Sequence, residues 1–149
     1  MDNLAWHERP VWESDFIIRV DLAKFGMADR FEQLWVKRIG DQQFQVCSIP
    51  FFPYGVSLGD IVQTDDDFTL RSVVTRSGRK KLRIAILIDD AEKRIFDLLQ
   101  RWVTASTLLY EWYARDYLAV DLPPEMPEHL DVSMLEEMSR SRQIEFEID

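Results

Sequence analysis

Between residues 82 and 102 the apolar side chains change period, and that change restricts the chain to a mixed fold. Leu82, Ile84, Ile86 and Ile88 recur at every second position, the pattern of a strand with one buried face. Ile95, Leu98, Leu99 and Trp102 then recur at i, i+3, i+4 and i+7, which sets them on one side of a helix. That helix is expected over residues 91–103, with Asp89 as its cap and Glu92 three positions on. Strand-type runs at 108–114 and 117–121 follow it, then a second helix from Ser133 to near Arg142 in which Glu136 completes a capping box, then an alternating strand at 144–148. The order strand, helix, strand, helix, strand is ferredoxin-like.

Upstream of residue 80 the pattern is nearly all strand. Residues 16–20 form one β-branched run, and residues 31–39 and 44–49 flank Gly40 as a hairpin. Pro50 and Pro53 keep residues 51–54 out of any central ladder, because proline has no N–H to donate. A third strand is expected near Ile61, and residues 68–75 and 81–88 flank Ser77-Gly78 as a second hairpin, whose latter strand enters from solvent and becomes buried on both sides. The fold class expected is α+β, with an N-terminal curved antiparallel sheet or small barrel (residues 15–75) packed on a C-terminal ferredoxin-like α+β half with two helices (residues 80–149). With 149 residues the chain is read as a single compact domain, 1–149.

Composition excludes several classes. Hydrophobic residues make up 46% of the chain, enough to offset chain entropy, and Gly (5) and Pro (6) are too few for a low-complexity or collagen-like chain. The net charge of −9 disfavours binding to phosphate backbones, so no nucleic-acid partner is expected. The longest apolar run, residues 84–88, is far short of a membrane span, and residues 1–10 lack a secretory h-region. Cys47 is alone and cannot form an intramolecular disulfide, which fits a reducing compartment; the chain is read as cytoplasmic, with no membrane partner.

No catalytic constellation emerges. Cys47 sits in a predicted strand, where a buried thiol is inert. His7 and His129 fall in polar segments expected to be mobile, at opposite ends of the chain, with no spacing that pairs either with a nucleophile. One cysteine and two scattered histidines cannot build a structural zinc site, so no metal or other cofactor is expected. Asp65, Asp66 and Asp67 open no calcium loop, because Leu70 and Arg76 stand where glycine and glutamate would be required; they read as a solvated turn. Tyr54, Gly55, Gly59 and Asp60 lack the lysine and hydroxyl of a phosphate loop and read as a structural turn in a curved sheet, anchored by Asp60.

Charge is distributed unevenly. Residues 71–83 hold six cations (Arg71, Arg76, Arg79, Lys80, Lys81, Arg83) and no acid, and read as ordinary solvated charges. Residues 102–149 hold eleven carboxylates against three arginines, a local charge of −8. Asp116, Asp121, Glu125, Glu128, Asp131, Glu136 and Glu137, with Asp65, Asp66 and Asp67, are the candidate contact residues for a basic partner, whose approach they would accelerate by steering.

The segment Phe51-Phe52-Pro53-Tyr54-Gly55-Val56-Ser57-Leu58-Gly59-Asp60-Ile61-Val62 resembles the signature of a bacterial family of short stand-alone proteins, domain of unknown function 4265. Phe31–Val36 and Tyr117–Pro123 are similar to its other recurrent stretches. The resemblance spans about residues 22–124 and implies a compact bacterial protein; it brings no activity with it.

Small size, concentrated acidity and the lack of reactive clusters lead to the expectation of a protein-interaction role and not an enzyme. Its most concrete form is an immunity protein or antitoxin that neutralises a basic toxin by occluding its surface. The alternative is a small-molecule-binding or regulatory module whose pocket is lined by Phe51, Phe52, Tyr54, Trp112 and Tyr113. An enzyme built on Asp60, Asp116 or Asp121 would need two of these acids in one cleft.

Overall fold

Alternation of apolar and polar residues produces two separate sheets. The computed structural model describes residues 4–127 and 130–149, which divide into two compact units, one up to Arg79 and one over Lys80–Asp149.

In the first unit the strands are β1 (Leu4–Ala5), β2 (Phe16–Asp21), β3 (Phe31–Gly40), β4 (Gln43–Val46), β5 (Ile61–Thr64) and β6 (Leu70–Thr75). β2 to β6 form an antiparallel meander, and β1, which no sequence signal announced, pairs in parallel with the start of β3. The sheet curls until β2 meets the start of β6: Arg19 N–H donates to Phe68 O at 3.0 Å and Arg19 Nε to Thr69 Oγ1 at 2.8 Å. The result is a strongly bent sheet approaching a small barrel. Ile18, Val20, Leu34, Val36, Phe44, Val46 and Val62 fill it, alternating along their strands with outward residues, and Phe16, Phe44 and Phe68 pack ring against ring.

The second unit runs β7 (Lys80–Ile86), α1 (Arg94–Ser106), β8 (Tyr110–Ala114), β9 (Tyr117–Leu122), α2 (Ser133–Arg140) and β10 (Ile144–Ile148). Its sheet has the order β10-β7-β9-β8 with every pair antiparallel. This βαββαβ arrangement is the ferredoxin-like half that the spacing predicts. Leu82, Ile84, Ile86, Leu118 and Val120 form one sheet face and pack with Ile95, Leu99 and Val103 of α1 and Leu135 and Met138 of α2.

Several local expectations are corrected. Residues 68–75 and 81–88 do not form a hairpin, since β6 pairs with β5 while β7 pairs with β9 and β10. Between them, Asp60 Oδ1 accepts the Ser77 N–H at 2.8 Å, while Ser77 Oγ donates to Leu58 O at 2.7 Å. The would-be turn is therefore tied to the residue 57–60 loop. β7 is buried from Lys81 onward and emerges at Leu87 and Ile88, the reverse of the expected direction. Lys81 and Arg83 are not solvated charges; they are buried and paired with Asp149 at 2.6 Å and Glu147 at 2.7 Å. Asp89 does not cap α1: Lys93 holds the N-cap position, and the two carboxylate oxygens of Asp90, three residues before it, accept the Ile95 and Phe96 amides, both at 2.9 Å. Those amides outweigh the effect of burial and hold the Asp90 carboxyl below its usual range. Ser133 and Glu136 form no capping box, because Asp131 Oδ1 takes both the Ser133 N–H and its hydroxyl.

Candidate protein-docking surface

The segment leading into α2 is built from acids and exposed apolar side chains. From Asp116 to Ser139 the sequence contains no lysine or arginine. Trp102 on α1 donates its indole N–H to Asp131 O at 2.7 Å, and Leu130 and Met134 pack on the core, so the approach to α2 is anchored at its base. Asp131 then starts the helix, with Oδ1 2.6 Å from Ser133 Oγ and 2.9 Å from Ser133 N. The Ser133 hydroxyl and then its amide hold the Asp131 carboxyl below its usual range, so it is fully charged at neutral pH. α2 buries Leu135 and Met138 and turns Glu136 and Glu137 to solvent, the division that its amphipathic spacing demands. On the same connection Met126 and Val132 are each 40% exposed, and Glu125 is exposed beside Met126. Exposed carboxylates attract cations and accessible apolar side chains can desolvate a partner's apolar atoms, so this segment carries both components of a docking surface.

The other sequence-predicted contact residues are scattered. Asp116 is exposed in the turn joining β8 to β9. Asp121 is corrected: it is 2% exposed on β9, opposite Lys81 in the strand register, and presents no charge to a partner. Glu128 lies outside the described residues, as does His129. Asp65, Asp66 and Asp67 belong to the first unit. Asp65 Oδ1 accepts the amides of Asp67 and Thr69, chiefly the latter holding its carboxyl below the usual range, and Asp66 takes the Gln42 side-chain amide. Asp67 follows them with its side chain exposed.

Tyr54, Gly55, Gly59 and Asp60 form the bend between β4 and β5. Gly55 and Gly59 have φ of +77° and +84°, the left-handed region, and a Cβ on Gly59 would meet Trp12 and Ser77 at 3.1–3.2 Å. Asp60, 1% exposed, closes the bend through Oδ2 to Ser57 N–H at 2.9 Å and Oδ1 to Ser77 N–H. Tyr54 itself is exposed.

Sequence reasoning missed one buried pair. His7 is not in a mobile polar segment; its Nε2 lies 2.9 Å from Glu32 Oε2, with both side chains wholly buried. Glu32 also accepts the Phe51 and Phe52 amides at 2.8 and 3.0 Å, and His7 stacks on Phe51 with ring centroids 4.1 Å apart. The carboxylate thus satisfies the backbone that Pro50 and Pro53 leave without ladder partners. The only hint in the sequence was an acid at an inward position of an otherwise apolar strand, Glu32 before Leu34 and Val36.

The five aromatic residues proposed for a pocket have different duties. Phe51 belongs to the His7 stack, whereas Trp112 packs on Phe96 and donates its indole N–H to Gln100 Oε1. Cys47 is buried, with Sγ donating to Glu13 O, and burial, with Asp15 nearby, pushes its thiol pKa up. No group of three metal-ligating side chains occurs among the described residues, and no helix there is long and apolar enough to cross a membrane.

Comparison with known proteins agrees with this geometry in fold alone. The family model described as "Domain of unknown function (DUF4265)" matches residues 32–146. A solved structure titled "Novel crystal structure of a hypothetical protein from Neisseria gonorrhoeae" is similar with a TM-score of 0.62 at 17% identity, covering 91% of this chain and 95% of that one. No curated protein matches the chain.

Proposed function

Since this chain belongs to the DUF4265 family, whose description assigns no activity, we propose from its own surface that it is an interaction protein that docks a basic protein partner. The observation that carries this reading is the segment without lysine or arginine in which Glu125, Asp131, Glu136 and Glu137 are exposed, as are Met126 and Val132. Negative potential there would steer a cationic partner and speed association, and the two apolar side chains would supply the desolvated centre that charges alone do not. In its most specific form the protein is a cytoplasmic immunity protein or antitoxin, and its partner is a basic toxin domain occluded at the surface that normally meets an anionic substrate.

The test is the kinetics of association with the basic product of an adjacent gene. Binding that slows steeply with salt, and slows further in Glu136→Lys/Glu137→Lys while dissociation is affected by Met126→Ala, supports the reading. Absence of binding, or binding indifferent to all three substitutions, overturns it.

A further inference from the structure

Apart from the acidic surface, the first unit holds a groove where β2 and β6 part beyond the Arg19–Thr69 bridge. This groove of about 220 Å³ is lined by Lys24, Arg71 and Arg76, by the rings of Phe25 and Tyr54, and by the apolar wall of Val20, Leu70 and Val73. Three cations and no carboxylate line it, on a chain of net charge −9. An adjoining hollow shares Val20, Lys24, Leu70 and Arg71 but adds Asp21 and Asp65, which cancel its positive charge. The attraction for an anion is therefore confined to the first groove.

The groove is also shaped by specific contacts. Arg76 Nη1 donates to Gly55 O at 3.0 Å, which fixes its guanidinium at the rim made by the left-handed Gly55 turn. Lys24 Nζ stands 5.3 Å from the centroid of the Phe25 ring, and the Phe25 and Tyr54 rings are 6.1 Å apart. Arg71 Nε is 3.9 Å from Asp65 Oδ2, too long for a hydrogen bond and largely exposed, so that pair costs little to loosen. Tyr54 is half exposed although it neighbours the buried Phe51 and Pro53, and its ring lines the groove beside Phe25.

We infer that this groove binds a small ligand with an anionic head and a flat apolar body, an aryl or short acyl phosphate or carboxylate. The guanidinium forks of Arg71 and Arg76 suit paired oxygens of a phosphate or carboxylate head, Lys24 adds a point charge, and the two rings cover the body. The volume lies below the usual range for drug-sized ligands, which limits the occupant to about one ring.

The experiment is an NMR titration of the isotope-labelled full chain with phenyl phosphate in one arm and benzoate in the other. Inorganic phosphate serves as the headgroup-only control. Saturable shifts at Lys24, Phe25, Gly55 and Val73 are expected with at least one aryl anion, binding roughly tenfold tighter than inorganic phosphate, and the better arm identifies the head. Arg71→Glu and Lys24→Glu, both on exposed side chains, are expected to weaken that binding about tenfold or more, while Glu137→Lys leaves it unchanged. Non-saturating shifts in both arms, affinity equal to that of inorganic phosphate, or insensitivity to both charge reversals would overturn the inference.

Discussion

Asp60 Oδ1 accepts the Ser77 amide at 2.8 Å across seventeen residues, in the segment between two strands that look like a hairpin but pair in different sheets. The same carboxylate holds Ser57 N–H through its other oxygen. Asp60→Ala would remove the acceptor of two amides, of which the buried Ser57 amide costs roughly 1–3 kcal/mol when unpaired and the part-buried Ser77 amide less. Urea denaturation is expected to show a loss of that order, and a change below about 0.5 kcal/mol would disprove the anchoring role.

Gly59 is the second test of the bend. Its φ is +84°, and a methyl group there would come within 3.1 Å of the Ser77 side chain, which leaves no room for a larger residue. Gly59→Ala combines backbone strain with overpacking against Trp12, so destabilisation of about 1–3 kcal/mol is expected from thermal or urea melts. Gly26, with φ of +85° and open space around it, supplies the control: Gly26→Ala meets only the backbone strain and is expected to cost less.

The Glu32 carboxylate is central to the first unit. Its three partners, His7 and the Phe51 and Phe52 amides, all lose this acceptor in Glu32→Ala, and loss of a buried hydrogen-bond acceptor costs about 1–3 kcal/mol per bond. Glu32→Gln keeps an oxygen for one amide and is expected to fall between wild type and alanine in chemical denaturation. Equal stability of all three proteins would show that the cluster adds nothing.

Asp90 gives a pH-dependent prediction. The amides at the start of α1 hold its carboxyl below the ordinary aspartate range, so the folded state favours the charged form. The stabilisation is therefore complete above the unfolded pKa and disappears as pH falls through the lowered folded value. Asp90→Ala is expected to cost about 0.5–2 kcal/mol at pH 7, as for other lost N-caps. The difference between mutant and wild type should shrink when melts are repeated at pH values below about 3.9, where an unfolded aspartate is already protonated. A difference that is constant with pH would assign the cost to something other than the charged cap.

Glu136 and Glu137 are predicted to be separable from folding. Both are exposed on α2, where the buried contacts belong to Leu135 and Met138. Glu136→Lys/Glu137→Lys is expected to alter stability by no more than about 0.5 kcal/mol per site, as measured by denaturation. A larger loss would give these acids a structural duty and remove them from the docking surface.

Local periodicity carried most of the element assignment. Phe31–Gly40 and Gln43–Val46 pair as a hairpin, and Ile95, Leu99 and Val103 bury one helix face, because alternation and i, i+4 spacing act over a few residues and survive in any context. The ferredoxin-like order of the second unit is legible for the same reason. Strand partnership was not, because Ser77-Gly78 reads as a hairpin turn whether or not its flanking strands pair, and here β6 pairs with β5 while Ser77 bonds to Asp60 seventeen residues away.

The charged residues divide along the same line. Composition established that the C-terminal third is acidic. It did not distinguish Asp121, buried opposite Lys81, from Asp131, exposed at a helix start, or a mobile His7 from one sealed against Glu32. Residue type determines how a group responds to burial, but burial itself is set by which distant segments fold over it. That is a property of tertiary packing, and so are the groove between β2 and β6 and the partners of every buried charge.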